Sequence, residues 1–231
     1  VDPVTHKVAF AYYLNSATGA YAMDPANFAG AATNLVAGSG DITKVNSLCF
    51  DKDGTLYVMD NAYYTNAAST GQIYKIKDGI VSPFSKAYGW ASFDNSIVSD
   101  GHGGLWIAQY RSNFDSFVAL SHVNANGEGD FRITNSINNT LLETYTSGST
   151  TNASYRGQVA YNEREDILAF GGGRMVQLFK VTYNANGVPT LTKFAKTEPL
   201  ASGYQTNIDG IAFDYAGDLY VVNSSTEKFQ K

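Results

Sequence analysis

The side chains best suited to hold a ligand are aromatic rings and arginines: Tyr63, Tyr64, Tyr88, Trp90, Tyr110, Arg111, Tyr155, Arg156, Arg174 and Tyr204. Flat rings stack on sugar faces or grip peptides, and guanidinium forks add bidentate hydrogen bonds. With 16 tyrosines in the chain, part of this clustering follows from composition alone. Residues that usually do covalent chemistry are less promising. Cys49, the only cysteine, lies in an apolar run with no His or Arg beside it to favour the thiolate, so it reads as core. His6 and His122 have no metal-ligand spacing to each other or to Cys49, and His102 sits in a Gly-rich turn where a solvated side chain is expected. No G-x-S-x-G elbow occurs, and no pattern indicates a Ser/His/Asp triad. Gly171-Gly172-Gly173-Arg174 lacks the Lys-Ser/Thr of a phosphate loop. Asp51-Lys52-Asp53-Gly54 has too few oxygens for a calcium loop, and Glu163-Arg164-Glu165-Asp166 reads as a charged hairpin turn.

The elements that must position these residues announce themselves by repetition. A short apolar run, a turn carrying Asp or Gly, then Leu or Ile and usually an aromatic occurs at Asn46–Val58, Asn95–Ile107, Gly157–Ala169 and Asp209–Val221. The four copies align without a gap, and their starts lie 49, 62 and 52 residues apart. A period of this length, filled with short strands and tight turns, predicts an all-β propeller of four-stranded antiparallel blades. In the first full unit the strands are Leu48–Asp51, Leu56–Asp60, Gln72–Lys77 and Ile80–Phe84, the last two joined by the hairpin pair Asp78-Gly79. The second continues with Phe117–Val123, Asn124-Ala125-Asn126-Gly127 and Phe131–Thr134. The third continues with Met175–Tyr183, Asn184-Ala185-Asn186-Gly187 and Thr190–Phe194.

One domain over 1–231 is expected, with blades at 45–85, 95–135 and 157–195 and partial blades at 1–38 and 207–231. The Ser/Thr/Asn-rich stretch 136–156 reads as a long surface loop. The broken ends leave two arrangements open: they share one blade, giving four, or the chain is part of a longer one with five or six. The second is preferred because 227–231 reads as a strand cut short.

The chain is 44% hydrophobic and 16% charged, enough to bury a core and too apolar for disorder. Its formal charge is −5 with no basic run, so it lacks the electrostatic footprint of a nucleic-acid binder. No run of 18 apolar residues predicts a membrane-spanning helix, and the start Val1-Asp2-Pro3 does not read as a signal peptide. Low lysine content, many Asn, Ser, Thr, Tyr and Gly residues and no paired cysteines suit a secreted, periplasmic or cell-surface bacterial protein whose leader has been removed.

The repeated motif resembles that of NHL-repeat propellers and of the related gluconolactonase and senescence-marker lactonases, (N/D)-G-(I/L)-A-(F/V)-D-x-x-G-x-L-Y-V-(A/V)-(D/N). Asp209–Asn223 matches it almost residue for residue, Asn46–Asp60 well, Asn95–Gln109 moderately and Gly157–Gly171 weakly. The resemblance implies that strand one lines a central channel and that Asn46, Asn95, Gly157 and Asp209 ring its mouth. The loops bearing Tyr63, Tyr64, Trp90, Tyr110, Arg111, Arg156, Arg174 and Tyr204 then open on that same face. It also implies a divalent cation, such as calcium, held at the mouth by oxygen ligands for which Asn46, Asn95 and Asp209 are the candidates. Asn or Asp before a strand also commonly closes a turn on its own backbone. Two functions are therefore expected: an extracellular module binding a glycan, peptide or protein on that face, or a metal-dependent lactonase or hydrolase at the mouth.

Overall fold

The computed structural model of the chain describes residues 1–6, 8–14, 17–23, 33–34, 42, 45–60, 71–90, 96–108, 118–134, 137–142, 145–147, 150–152, 157–172, 175–197, 208–223 and 228–230. Each copy of the motif forms the first two strands of an antiparallel sheet, as alternating apolar residues and a capped turn require. Blade 1 is β1 (Val8–Leu14), β2 (Ala17–Met23) and β3 (Thr33–Asn34). Blade 2 is β4 (Val45–Phe50), β5 (Leu56–Asp60), β6 (Gly71–Lys77) and β7 (Ile80–Trp90). Blade 3 is β8 (Ser96–Ser99), β9 (Leu105–Ala108), β10 (Val118–Val123) and β11 (Gly129–Thr134). After a single 3-10 turn (Asn139–Leu141) and a small hairpin, β12 (Tyr145–Ser147) and β13 (Thr150–Asn152), blade 4 follows as β14 (Gly157–Asn162), β15 (Ile167–Gly172), β16 (Met175–Tyr183) and β17 (Pro189–Lys196). Blade 5 is β18 (Gly210–Phe213), β19 (Leu219–Asn223) and β20 (Lys228–Gln230). The chain is thus a β-propeller of four-stranded antiparallel blades whose first and last described sheets have three strands.

The first strands stand side by side, β1 on β4, β4 on β8, β8 on β14 and β14 on β18. Serines stitch them together: Ser47 Oγ accepts the Ile97 amide at 3.1 Å and Ser96 Oγ accepts the Val159 amide at 3.4 Å. Every residue of β5 is buried, because the sheet is covered on both faces. Its period of two sends Leu56 and Val58 to a cluster with Ala9 of blade 1, and Tyr57 and Met59 to one with Ile97, Leu105 and Ile107 of blade 3. In the same way β9 sends Leu105 and Ile107 back to blade 2 and Trp106 and Ala108 on to Phe170 and Phe179 of blade 4. Blade 4 meets blade 5 through Ala169, Val176, Ile208 and Val221. Full burial of one such aliphatic or aromatic side chain stabilises by about 1.5–3 kcal/mol.

The motif's Asp has a defined structural role. Asp100, Asn162 and Asp214 each end a first strand and turn their Oδ1 onto the amide two residues on, at His102, Arg164 and Ala216. Asp100 and Asp214 also accept the amides of Gly104 and Asp218, which closes the turn before the second strand. Asp51 instead accepts the Lys52 amide and the Ser99 hydroxyl of the next blade.

Three differences from the expected layout have physical causes. Strand β4 starts at Val45 and stops before Asp51, because that aspartate is a turn cap. Strand β7 runs on to Trp90 rather than ending at Phe84, paired with β6 through two irregularities. The 136–156 stretch is more than a surface loop: Leu142 is buried and Leu141 packs against the core between blades 3 and 4. No helix among the described residues is long and apolar enough to cross a membrane.

Candidate functional site

Two ends of the fold bear polar groups, the end where the first strands start and the end where the hairpin turns lie. At the strand-entry end, Asn46 occupies a β-bulge, the residue left over between the pairs Val45↔Asp60 and Ser47↔Met59. The bulge turns its amide inward, and Nδ2 is buried with no hydrogen-bond partner among the described residues. Opposite Val45, Asp60 is only 3% exposed, a buried carboxylate that closes β5. Asp209 occupies the same motif position three blades on and is exposed, its amide donating to the Val222 carbonyl at 3.0 Å. At Gly157 a Cβ would lie 2.8 Å from Phe170 of the same blade and 2.9 Å from Ala108 of blade 3, so packing leaves no room for a side chain there.

Trp90 and Tyr88 lie in β7 rather than in a loop, with the Trp90 backbone opposite Gly71. Tyr63, Tyr64, Asn95, Tyr110, Arg111, Tyr155, Arg156, Arg174 and Tyr204 lie outside the described residues. Among the described residues, no three His, Cys, Asp or Glu side chains converge as metal ligands. Cys49 packs beside the Tyr57–Met59 cluster, and burial together with Asp51 pushes its thiol up, away from reactivity.

At the turn end stands a constellation that linear spacing does not display. His122 is 1% exposed and lies between two carboxylates, with Nε2 2.9 Å from Asp100 Oδ2 and Nδ1 2.7 Å from Asp130 Oδ1. Strand β10 carries it opposite Trp106 of β9, and the indole ring packs 4.6 Å from the imidazole. Burial works against the imidazolium, yet hydrogen bonds to Asp100 and Asp130 and their charge hold its pKa above the ordinary range. Burial likewise pushes Asp100 up, but His122 and the amides of His102 and Gly104 bring it below the usual carboxylate range. The result is an Asp–His–Asp group in which both imidazole nitrogens and the Asp100 oxygens are already engaged. Such a buried, mutually bonded group ties β10 to the turn before β9 and to β11.

Beside it, Tyr183 of blade 4 stands near Trp106 and Tyr161, and the Tyr161 hydroxyl donates to Asp166 Oδ1 at 2.9 Å. In front of it a cleft of about 380 Å³ opens between blades 3 and 4, bordered by His102, Asn126, Tyr183, Asn186 and Gly187. His102 is exposed as expected, and its ring meets that of Tyr183 edge-on at 5.1 Å.

Solved structures share this architecture. An auxiliary nutrient binding protein from Bacteroides thetaiotaomicron superposes with a TM-score of 0.55 over 99% of this chain and 52% of its own, at 9% identity. Another from Bacteroides ovatus gives 0.53 over 99% and 52%, at 15% identity. A candidate 6-phosphogluconolactonase from Bacteroides fragilis gives 0.56 over 94% and 60%, at 12% identity. At these identities the likeness is one of fold, and the chain spans about half to three fifths of the length of these neighbours. No protein-family model and no curated protein matches the sequence.

Proposed function

We propose that the chain is a ligand-binding propeller module acting outside the cytoplasm, with its ligand at the strand-entry end. The observation that carries this reading is Asn46: a buried Nδ2 without an acceptor costs about 1–3 kcal/mol, and a ligand oxygen would supply the missing partner. The fold it shares with two nutrient binding proteins supports a binding role. The aromatic and arginine residues Tyr63, Tyr64, Trp90, Tyr110, Arg111, Arg156, Arg174 and Tyr204 supply rings and guanidinium forks for a glycan, peptide or protein. The Asn- and Tyr-rich, Lys-poor composition supports the location. The test is a glycan and peptide array probed with the chain and with Asn46→Ala. Retained binding of a single ligand class that the variant weakens about tenfold supports the reading, and an array silent for the wild-type chain sinks it.

A second reading rests on Asp209, an exposed carboxylate at the first position of the best-matching motif. With Asn46 and Asn95 it would offer oxygens to a divalent cation such as calcium, in a hydrolase of the gluconolactonase type resembled by the motif. The fold of the candidate 6-phosphogluconolactonase supports it. The orphaned group of Asn46, a donor, favours an anionic or carbonyl oxygen over a cation, which is why binding is placed first. Calorimetric titration with calcium decides: no heat with the wild-type chain removes the metal reading.

A further inference from the structure

We propose a second binding site on the opposite, turn-bearing end: the cleft between blades 3 and 4, accepting a neutral sugar of one or two pyranose rings. The cleft is made by two copies of one tetrapeptide. Asn124-Ala125-Asn126-Gly127 closes the last hairpin of blade 3 and Asn184-Ala185-Asn186-Gly187 that of blade 4, each with its first Asn Oδ1 accepting the amides two and four residues on. The blade 3 turn is seated on blade 2, where Ser85 Oγ donates to the Gly127 carbonyl at 2.6 Å. Among the described residues the blade 4 turn has no such seat, and none of them lies within 4 Å of where a Gly187 Cβ would be. The space a seated turn would fill is left as the cleft.

Its lining indicates the ligand. Asp100 and His122 line it, but the Asp100 oxygens and both His122 ring nitrogens are engaged with each other, with Asp130 and with turn amides. What remains available are the carboxamides of Asn126 and Asn186, exposed on facing rims and unbonded within the described residues, and the Tyr183 ring flanked by His102. A carboxamide both donates and accepts, which matches vicinal hydroxyls, and an aromatic ring matches the C–H face of a pyranose. The volume of about 380 Å³ falls within the ~300–1,000 Å³ of small-molecule sites.

The experiment is saturation-transfer NMR on the chain with the methyl glycosides of glucose, galactose, mannose and N-acetylglucosamine, and with maltose and cellobiose. Transfer from at least one probe is expected. It should weaken about tenfold in the double variant Asn126→Ala/Asn186→Ala and in Ala125→Trp, which fills the cleft, with the melting temperature of the double variant unchanged. Asn46→Ala, at the other end, should leave it unaltered. Absence of transfer from every probe at millimolar concentration overturns the proposal, as does transfer that survives both cleft variants. Transfer abolished by Asn46→Ala alone overturns it too, and moves the sugar to the strand-entry end.

Discussion

Blades 3 and 4 carry the same turn and use it differently. In blade 3, Gly127 is pressed against its neighbour so closely that a Cβ would sit 2.0 Å from the Phe84 carbonyl oxygen; in blade 4, Gly187 faces open space. Beneath the first turn lies the charged group Asp100, His122 and Asp130, while Asn162, Thr182 and Thr190 hold the corresponding places in blade 4, the two threonines paired across β16 and β17. An identical sequence becomes a lock where the adjacent sheet offers a hydroxyl and a carbonyl, and a free rim where it does not. Local sequence sets the shape of the turn, and the neighbouring blade sets what the turn does.

The largest effect should separate the two polar cores. His122→Ala leaves the buried Asp100 and the partly buried Asp130 without their shared partner and should cost about 3–5 kcal/mol in urea unfolding, against less than about 0.5 kcal/mol for Thr182→Ala. Equal losses would erase the distinction between the blades. Next come the turns themselves. Both glycines have φ near +76°, so alanine strains either by about 1–2 kcal/mol, but Gly127→Ala adds a backbone clash and should reach about 3 kcal/mol. If Gly187→Ala proves as costly, the blade 4 turn is seated after all.

The pH profile sharpens the comparison further. The stabilisation from His122, whose folded pKa is raised, is fully present below its ordinary 6.5 and is lost as pH rises through the higher folded value. That from Asp100, whose folded pKa is lowered, is present above its ordinary 3.8 and is lost as pH falls through the lower folded value. Thermal melts of the wild-type chain should therefore contain a stability decrease on the alkaline side of 6.5 that disappears in His122→Ala. The smallest effect is Ser85→Ala, which removes the hydroxyl from the Gly127 carbonyl and should cost about 1 kcal/mol by the same urea assay.

The blades were legible because their signal is local: alternation makes the strand, and an Asp or Asn whose side chain binds its own backbone makes the turn. The bulge at Asn46 was not, since it arises from pairing with β5 and leaves no mark in the spacing of apolar residues. His122 was passed over for want of metal-ligand spacing, yet its partners lie 22 and 8 residues away and meet it only through the register of β10 with β9 and β11. A usable clue was its place inside a largely apolar strand, where a titratable ring must find partners or destabilise the fold. The motif aligns Gly157 with Asn46, Asn95 and Asp209, and it does not show that Phe170 and Ala108 leave room there for nothing larger.

The serine stitches have a consequence for assembly. A strand at the margin of a sheet normally offers its unpaired amides to any passing extended chain. Ser47 and Ser96 occupy such amides on β8 and β14, so this margin is partly closed to recruitment. The opposite margins, β7, β11 and β17, are where an extended peptide would add to this protein, and where its first misassembly under stress would begin.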